Sequence, residues 1–409
     1  MSFSLERVVI VGASLAGLRA AETLRQQEFA GSIVVVSDET EIPYDRPPLS
    51  KKVLSGEWEA DRIRLRKPEI LESLNVEWVL GDGATGLDVT NRQITLRSGR
   101  RLDFDGVIVA TGGVVRRLPG QPDWKGMHVL RSLADSLSLR DELSSGRRVV
   151  VIGAGFIGLE VAATARTRGC EVTVLEGAPA PLIRGLGAEM GSLIARIHEQ
   201  NGVAVRCGVK VDGFVEGDPG RVAGIRLTDG EVVPADVVVV GVGVAPATAW
   251  LESSGLELRD GVVCDETLRA APGVYAAGDV ARWPNRLLGR EVRVEHWTNA
   301  SEQGAAAARN LIAESRGEVG TPYESVPFFW SDQFTSRIQF LGRAEGDETV
   351  EIVAGSPDEN SFVALYHRGD EFRAVLGVSR PKQTMPFGKL LAERATWQQA
   401  LALVATWEQ

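Results

Sequence analysis

Two stretches of this chain repeat one pattern: a continuous apolar run, a glycine-rich turn, then small and apolar residues at helical spacing. The first, RVVIVGASLAGLRAAETLRQQ at 7–27, aligns without a gap on the second, RVVVIGAGFIGLEVAATARTRG at 148–169, at an offset of 141 residues. Gly12 falls on Gly153, Ser14 on Gly155, Gly17 on Gly158 and Arg19 on Glu160. The runs 8–11 and 149–152 lack any polar alternation, so each predicts a strand covered on both faces, as in a parallel sheet. From 7 to about 112 the pattern gives strand, helix, strand, the turn-rich ETEIPYDRPPLSKKVL, and short strands ending in DFDGVIVATGG. A connector at 113–146 leads into the second copy, which continues through VAVRCGVKVDGFVE to ADVVVVGVGVAP. After Pro246 come GVVCDETLRAAPGVYAAGDVARW and a predicted helix, HWTNASEQGAAAARNLIAE. From about Thr321 the period becomes two, in SRIQFLGRA, TVEIVAG, SFVALYHRG and EFRAVLGV, with a closing helix predicted near 387–405.

A glycine turn between a strand and a helix lets the backbone approach a pyrophosphate, and the new helix aims unpaired N–H groups and its positive dipole end at that charge. One such turn can serve plain packing; two in the same setting point to two dinucleotides. The second copy is complete at Gly153, Gly155 and Gly158, and 18 residues on, Glu176 ends the run EVTVLE, where a carboxylate holds the ribose 2′-hydroxyl of NAD. Glu176 would repel the 2′-phosphate of NADP, and no Arg or Lys follows until Arg184, so NADH is expected over NADPH. The first copy has Ser14 at its middle glycine and offers Asp38 or Glu39 after SIVVV for a ribose; it is expected to hold FAD.

Composition narrows the partners. With 409 residues, 44% hydrophobic and 24% charged, the chain suits two or three globular domains. Its longest apolar run, ADVVVVGVGVAPATAWL, is interrupted by two glycines and a proline and is too short and β-branched for a membrane helix. The first apolar run starts only after Glu6 and Arg7, inside the first loop, so no signal peptide is expected and the protein is placed in the cytoplasm. A net charge of −10 disfavours nucleic acid or an anionic membrane as the main partner. Cys170, Cys207 and Cys264 are odd in number and far apart, and His128, His198, His296 and His367 are scattered, so no disulfide framework and no metal site are expected.

The motifs YDRPPLSK at 44–51, VIVATGG, VVVIGAGFIGLEVAATA, VYAAGDVAR and FFWSDQ at 328–333 together resemble the FAD-dependent NADH:ferredoxin reductase family, putidaredoxin reductase-like reductase components of aromatic-ring dioxygenases and haem-thiolate monooxygenases. The resemblance covers essentially the whole chain. It implies an α/β fold with two Rossmann-like dinucleotide-binding domains, glutathione-reductase-like, plus a smaller α+β C-terminal domain. The FAD-binding domain would be split, 1–112 and 244–320, around an NAD-binding domain at 113–243, with the C-terminal domain at 321–409. FAD would take its pyrophosphate at Gly12, Ser14, Leu15, Ala16 and Gly17 and its adenosine ribose near Asp38. Arg46 and Lys51 would lie towards the flavin, with Ala84, Thr111, Gly112 and Arg131 lining the site. Gly278 and Asp279 would meet the ribityl or pyrophosphate oxygens, and His296, Trp297 and Trp330 the isoalloxazine. NAD would lie on Gly153, Gly155, Phe156, Ile157 and Gly158, with Glu176 on the ribose, Glu160 near the nicotinamide, and Val242 and Gly243 closing the site. Lys51 and Glu160 would form a buried pair acting in flavin reduction. Ser14 departs from the glycine of many relatives, although its small hydroxyl could bond a phosphate.

Two dinucleotides on one chain imply electron transfer between them, with the cofactors supplying the chemistry and the protein their placement. Disulfide reductases of this fold carry a redox cysteine pair where this chain reads YDRPPLSK, and no cysteine is there. The expected acceptor is therefore a one-electron carrier, a 2Fe–2S ferredoxin feeding an oxygenase, with the reductase a monomer or weak dimer. An NADH oxidase or rubredoxin reductase shares the same two sites. A redox-sensing interaction protein resembling apoptosis-inducing factor would favour a long insertion in the C-terminal domain, and none is visible. Finally, DRIRLRK at 61–67 gathers Arg62, Arg64, Arg66 and Lys67 in an acidic chain. If extended, it would set the three arginines on one face, with Ile63 and Leu65 inward, as a docking patch for an acidic ferredoxin.

Overall fold

The computed structural model describes residues 3–408. The chain forms two compact units: unit one comprises residues up to 45, 63–114 and 245–327; unit two comprises 46–62, 115–244 and 328 onward.

Unit one is built on a six-stranded sheet in the order Arg269–Ala271, Val274–Ala276, Gly106–Val109, Arg7–Val11, Ser32–Val36, Glu77–Val79. All its pairings are parallel except that of the first strand. Residues 8–11 and 106–109 are fully covered, which explains why both read as unbroken apolar runs. The helix Leu15–Gln26 and the helix Trp297–Ser315 cross closely because both are small-faced at the contact. A Cβ on Gly304 would stand 2.2 Å from the Ala16 carbonyl oxygen.

Unit two joins a five-stranded parallel sheet to a five-stranded antiparallel one. The parallel sheet runs Ala204–Cys207, Glu171–Glu176, Arg148–Ile152, Val237–Val240, Met127–His128. The antiparallel sheet runs Phe328–Gln333, Ser336–Gly342, Glu371–Val378, Ser361–Arg368, Thr349–Ser356. One apolar cluster spans both, drawing Leu159, Ile194 and Ile197 from the nucleotide-domain helices and Phe340, Phe362 and Leu376 from the antiparallel sheet. The helix Ile183–Gln200 breaks at Gly187, where φ is 79°, and the buried Tyr366 hydroxyl donates to the Leu186 carbonyl exposed by that break at 2.8 Å.

Three elements differ from the sequence expectation. The connector 113–146 holds the edge strand Met127–His128 and the helix Leu133–Glu142, whose start is fixed by a capping box between Ser132 and Asp135. The C-terminal sheet gains a fifth strand, Phe328–Gln333, whose burial does not alternate along its whole length. The single closing helix is two, Phe387–Ala392 and Trp397–Ala405, because Thr396 and Gln399 form a second capping box and restart the chain.

A tight point in the C-terminal sheet gives a direct test of this packing. A Cβ on Gly377 would lie 1.8 Å from Thr384 Oγ1, on a fully buried side chain. Gly377→Ala is expected to cost about 1–3 kcal/mol, read as a lowered thermal midpoint, and adding Thr384→Ala should recover part of it. An unchanged midpoint for the single variant would contradict the close approach.

Candidate functional site

The two glycine turns close in the same way. In unit one, a Cβ on Gly12 would sit 2.1 Å from the Ala110 carbonyl oxygen and one on Gly17 would sit 1.8 Å from that of Gly12. In unit two the matching distances are 2.4 Å from Gly153 to the Gly241 oxygen and 2.1 Å from Gly158 to the Gly153 oxygen. Gly12 and Gly153 also adopt φ of 121° and 101°, which side chains rarely allow. These four glycines are demanded by the protein's own backbone. Gly155 is different: it is exposed and a Cβ there meets no atom within 4 Å, so its lack of a side chain leaves room for something outside the protein. Both following helices, Leu15–Gln26 and Phe156–Thr167, begin with no side-chain cap and no acidic residue in the first turn, leaving their positive ends to an anion. The residues present fit two bound dinucleotides.

Of the other expected residues of unit one, Asp38, Thr111, Gly112, Gly278 and Asp279 follow the carboxyl ends of its parallel strands, where ligands of open α/β sheets bind. Asp38 is exposed just beyond Ser32–Val36, whereas Glu39 accepts the hydroxyl of the buried Tyr44. Gly83, next to Ala84, packs tightly on Asp38, with a virtual Cβ 2.8 Å from the Asp38 Cβ. Thr111 follows Gly106–Val109 and donates to the Ala247 carbonyl at 2.9 Å, and Gly112 turns with φ of 68°. Gly278 donates to the buried Gln303 at 2.8 Å and leads into the single turn that carries Asp279. His296 immediately precedes the helix Trp297–Ser315, and Trp297, 37% exposed, donates from Nε1 to Asp45 at 2.7 Å.

In unit two, Glu176 ends its strand with both carboxylate oxygens held, by the N–H of Ala154 at 2.7 Å and of Ala178 at 2.8 Å. Its position beside the turn is thereby fixed. Phe156 packs against Phe329 with the rings tilted and their centroids 4.3 Å apart, Ile157 is 48% exposed, and Val242 and Gly243 follow the strand Val237–Val240, with Gly243 accepting from Arg116 at 2.9 Å. The segment 46–62 is tied down by side chains of the same unit. Ser136 donates to the Leu49 carbonyl at 2.7 Å, Thr164 to that of Ser50 at 2.8 Å, and Arg46 to that of Arg131 at 2.6 Å. This brings Lys51 Nζ to 2.7 Å from Glu160 Oε2, with the side chains 16% and 3% exposed. Ser50 donates to the same oxygen at 2.5 Å and Ser331 to the other at 2.7 Å. Trp330 precedes Ser331 and points to the opposite side of its strand. Sequence reasoning passed over Ser50 and Ser331; the one available signal was a Ser and a Gln, two apart, following the aromatic start of FFWSDQ.

The basic run at 61–67 is not extended throughout: Ala60–Ile63 is a 3₁₀ turn, which takes Arg62 out of the expected alternation, whereas Arg64 makes an antiparallel bridge to Tyr44. Arg62 stacks over Trp58 at 4.4 Å, while Arg64 and Lys67 are exposed. Arg66 instead binds Glu22 with two donors, at 2.6 and 3.1 Å, and Glu22 also takes Arg19 at 2.6 Å. Ile63 is buried, as the alternation required. Burial raises all three cysteine thiols, Cys264 to about 12, so none is primed as a nucleophile. Among the described residues no group of three His, Cys, Asp or Glu could hold a metal, and no helix is long and apolar enough to cross a membrane.

Comparison with known proteins gives a consistent set of relatives. The family described as pyridine nucleotide-disulphide oxidoreductase matches residues 6–304, and that described as reductase C-terminal matches residues 328–405. The chain is 36% identical to putidaredoxin reductase of Pseudomonas putida across 95% of this chain and 92% of that one. It is 35% identical to the ferredoxin–NAD(+) reductase component of the p-cumate 2,3-dioxygenase system of Pseudomonas putida, across 97% and 96%. Among solved structures, the covalent putidaredoxin reductase–putidaredoxin complex superposes with a TM-score of 0.90 at 35% identity, covering 95% of this chain and 93% of that one.

Gly155 separates ligand from packing. Its φ of −76° suits any residue, so Gly155→Ala is expected to change stability by less than about 1 kcal/mol. NADH binding should weaken by roughly tenfold or more, equivalent to about 1.4 kcal/mol. Titration calorimetry with the unreactive oxidised form, NAD⁺, beside a thermal melt checks both; unaltered NAD⁺ affinity would mean that the turn does not approach the cofactor.

Proposed function

The chain belongs to the pyridine nucleotide-disulphide oxidoreductase family, in the group that carries the reductase C-terminal domain, and from that premise we propose that it is the NADH-dependent ferredoxin reductase of an oxygenase system. It is a flavoprotein that binds FAD and NADH and delivers electrons to a ferredoxin. The observation that carries this reading is a paired one: two glycine turns of the same backbone geometry, and no thiol fit to receive electrons. The names of the relatives, a dioxygenase system's ferredoxin–NAD(+) reductase component and a reductase captured covalently with putidaredoxin, support the acceptor.

When bound, FAD supplies the conversion of a two-electron donor into a source of single electrons. The chain's residues arrange that exchange. The paired turns approach the pyrophosphates with bare backbone and oppose them with helix N-termini. Lys51 and Glu160 are our candidates for the charged groups acting in flavin reduction. Neither would be tolerated alone at this burial, since removing one partner of a buried pair costs about 3–5 kcal/mol, and the two serine donors complete the carboxylate's coordination. Arg64 and Lys67 remain candidate docking cations, whereas Arg66 is committed to Glu22 and serves the fold.

Glu176 is the element we assign to choosing NADH over NADPH. A carboxylate fixed by two N–H groups cannot swing away from a 2′-phosphate, so rejection is built in as repulsion. Glu176→Gln is expected to narrow the NADH to NADPH ratio of kcat/KM by roughly tenfold, about 1.4 kcal/mol of lost repulsion. A ratio that does not move would remove Glu176 from that role. For the acceptor, cytochrome c reduction by NADH is expected to need added 2Fe–2S ferredoxin, while ferricyanide reduction does not. Fast oxygen consumption with no ferredoxin present would favour an oxidase and overturn the proposal.

A further inference from the structure

Beyond Ser331 the polar contacts of Glu160 continue. Ser331 and Gln333 are two apart in Phe328–Gln333 and so share the inward face of that strand; each is 0% exposed. Gln333 Nε2 lies 3.0 Å from Ser331 Oγ, and its Oε1 lies 2.8 Å from Nε2 of His198, itself 0% exposed near the end of the helix Ile183–Gln200. A continuous buried chain therefore runs from Glu160 through Ser331 and Gln333 to His198.

Its direction follows from its charged end. The carboxylate of the ion pair can only accept, so the single Ser331 proton goes to Glu160 at 2.7 Å. Ser331 then has only lone pairs for Gln333, which must present its N–H₂ to the serine and its oxygen to His198. His198 must in turn carry its proton on Nε2, leaving Nδ1 bare, and Nδ1 has no partner. Every bond points toward Glu160. Burial lowers the His198 pKa, which agrees with a neutral ring.

Resting on the reading of this protein as an NADH-oxidising flavoprotein, we propose that Ser331, Gln333 and His198 are positioning residues that fix the Glu160 carboxylate, and through it Lys51, for flavin reduction. Plain packing does not ask for them. Apolar residues of similar volume would fill the same space without the cost of burying three polar side chains, and such replacements are often neutral or stabilising. A proton path is also the wrong reading, because a primary amide in the middle does not readily pass a proton on. What the chain does supply is a hydroxyl whose orientation is locked by the groups behind it.

The test uses the purified holoenzyme, with stopped-flow flavin reduction by NADH and ¹⁵N-histidine NMR; only four histidines are present to resolve. Ser331→Ala is expected to slow reduction at saturating NADH by roughly tenfold with FAD retained, the low end for a hydrogen bond to a charged group, and Gln333→Leu by roughly threefold, within the range of a neutral one. Because Gln333 acts through Ser331, the double variant should be no slower than Ser331→Ala alone. Multiplying effects, or no effect in either variant, would overturn the proposal. The wild-type spectrum is expected to show His198 with a bare Nδ1 and a proton on Nε2 near neutral pH, a readout independent of turnover and of whether any variant folds. A proton on Nδ1 would reverse the derived direction and overturn it as well. A wild-type protein that holds FAD but is not reduced by NADH would remove the functional reading and this role together, whereas normal reduction in wild type and variants alike removes only the role.

Discussion

The architecture depends on four places where a carbonyl oxygen occupies the volume of a missing methyl group. Gly12 and Gly153 bring the end of one strand against its neighbour, and Gly17 and Gly158 let the following helix fold back over the turn. Remove that closeness and the helix cannot start where its amide groups face the strand ends, which is the only place the sheet offers a ligand. Strand order, helix entry and phosphate contact are thus one steric condition met twice. Ser14, at the one turn position that tolerates a side chain, shows where the condition stops applying.

A second dependence runs through unit two. Burying the Lys51–Glu160 pair is unfavourable unless the remaining lone pairs of the carboxylate are met, and the donors come from two other segments, Ser50 and Ser331. The C-terminal sheet is therefore part of the nucleotide half's electrostatics as well as of its apolar core, in which Phe340 and Phe362 join Leu159 and Ile194. Phe329 and Ser331, on one face of one strand, perform both tasks, the first against Phe156 and the second against Glu160.

What the sequence made legible was whatever is encoded locally. The duplicated turns, the buried parallel strands and Glu176 at the end of EVTVLE follow from spacing within about thirty residues, the reach of one βαβ unit. The Lys51–Glu160 pairing was readable only through resemblance. The rest of that cluster was not readable, because Ser331 meets Glu160 across 171 residues and Gln333 meets His198 across 135, and no periodicity links such positions. His198 looked like one scattered histidine among four for the same reason. The basic run misled in its conformation: alternation of Arg with Ile and Leu implied an extended chain, yet a 3₁₀ turn also buries Ile63, and Glu22 draws Arg66 away. Likewise, the closing helix appeared single because a capping box at Thr396 leaves hydrophobic spacing almost unbroken.

The interleaving of the two units fixes an order of events during synthesis. In unit one, Gly106–Val109 pairs with Val274–Ala276, Val107 lying opposite Val274. At 5–20 residues per second the ribosome takes roughly ten to thirty seconds to supply the second strand after the first. Within that interval the whole of 115–244 emerges, with its parallel sheet contiguous in the chain. That parallel sheet is thus free to form while the edge of the earlier sheet is still open and apolar. The nascent chain consequently holds a half-built sheet in need of protection until Val274–Ala276 emerges, and unit two in turn waits for residues 328 onward.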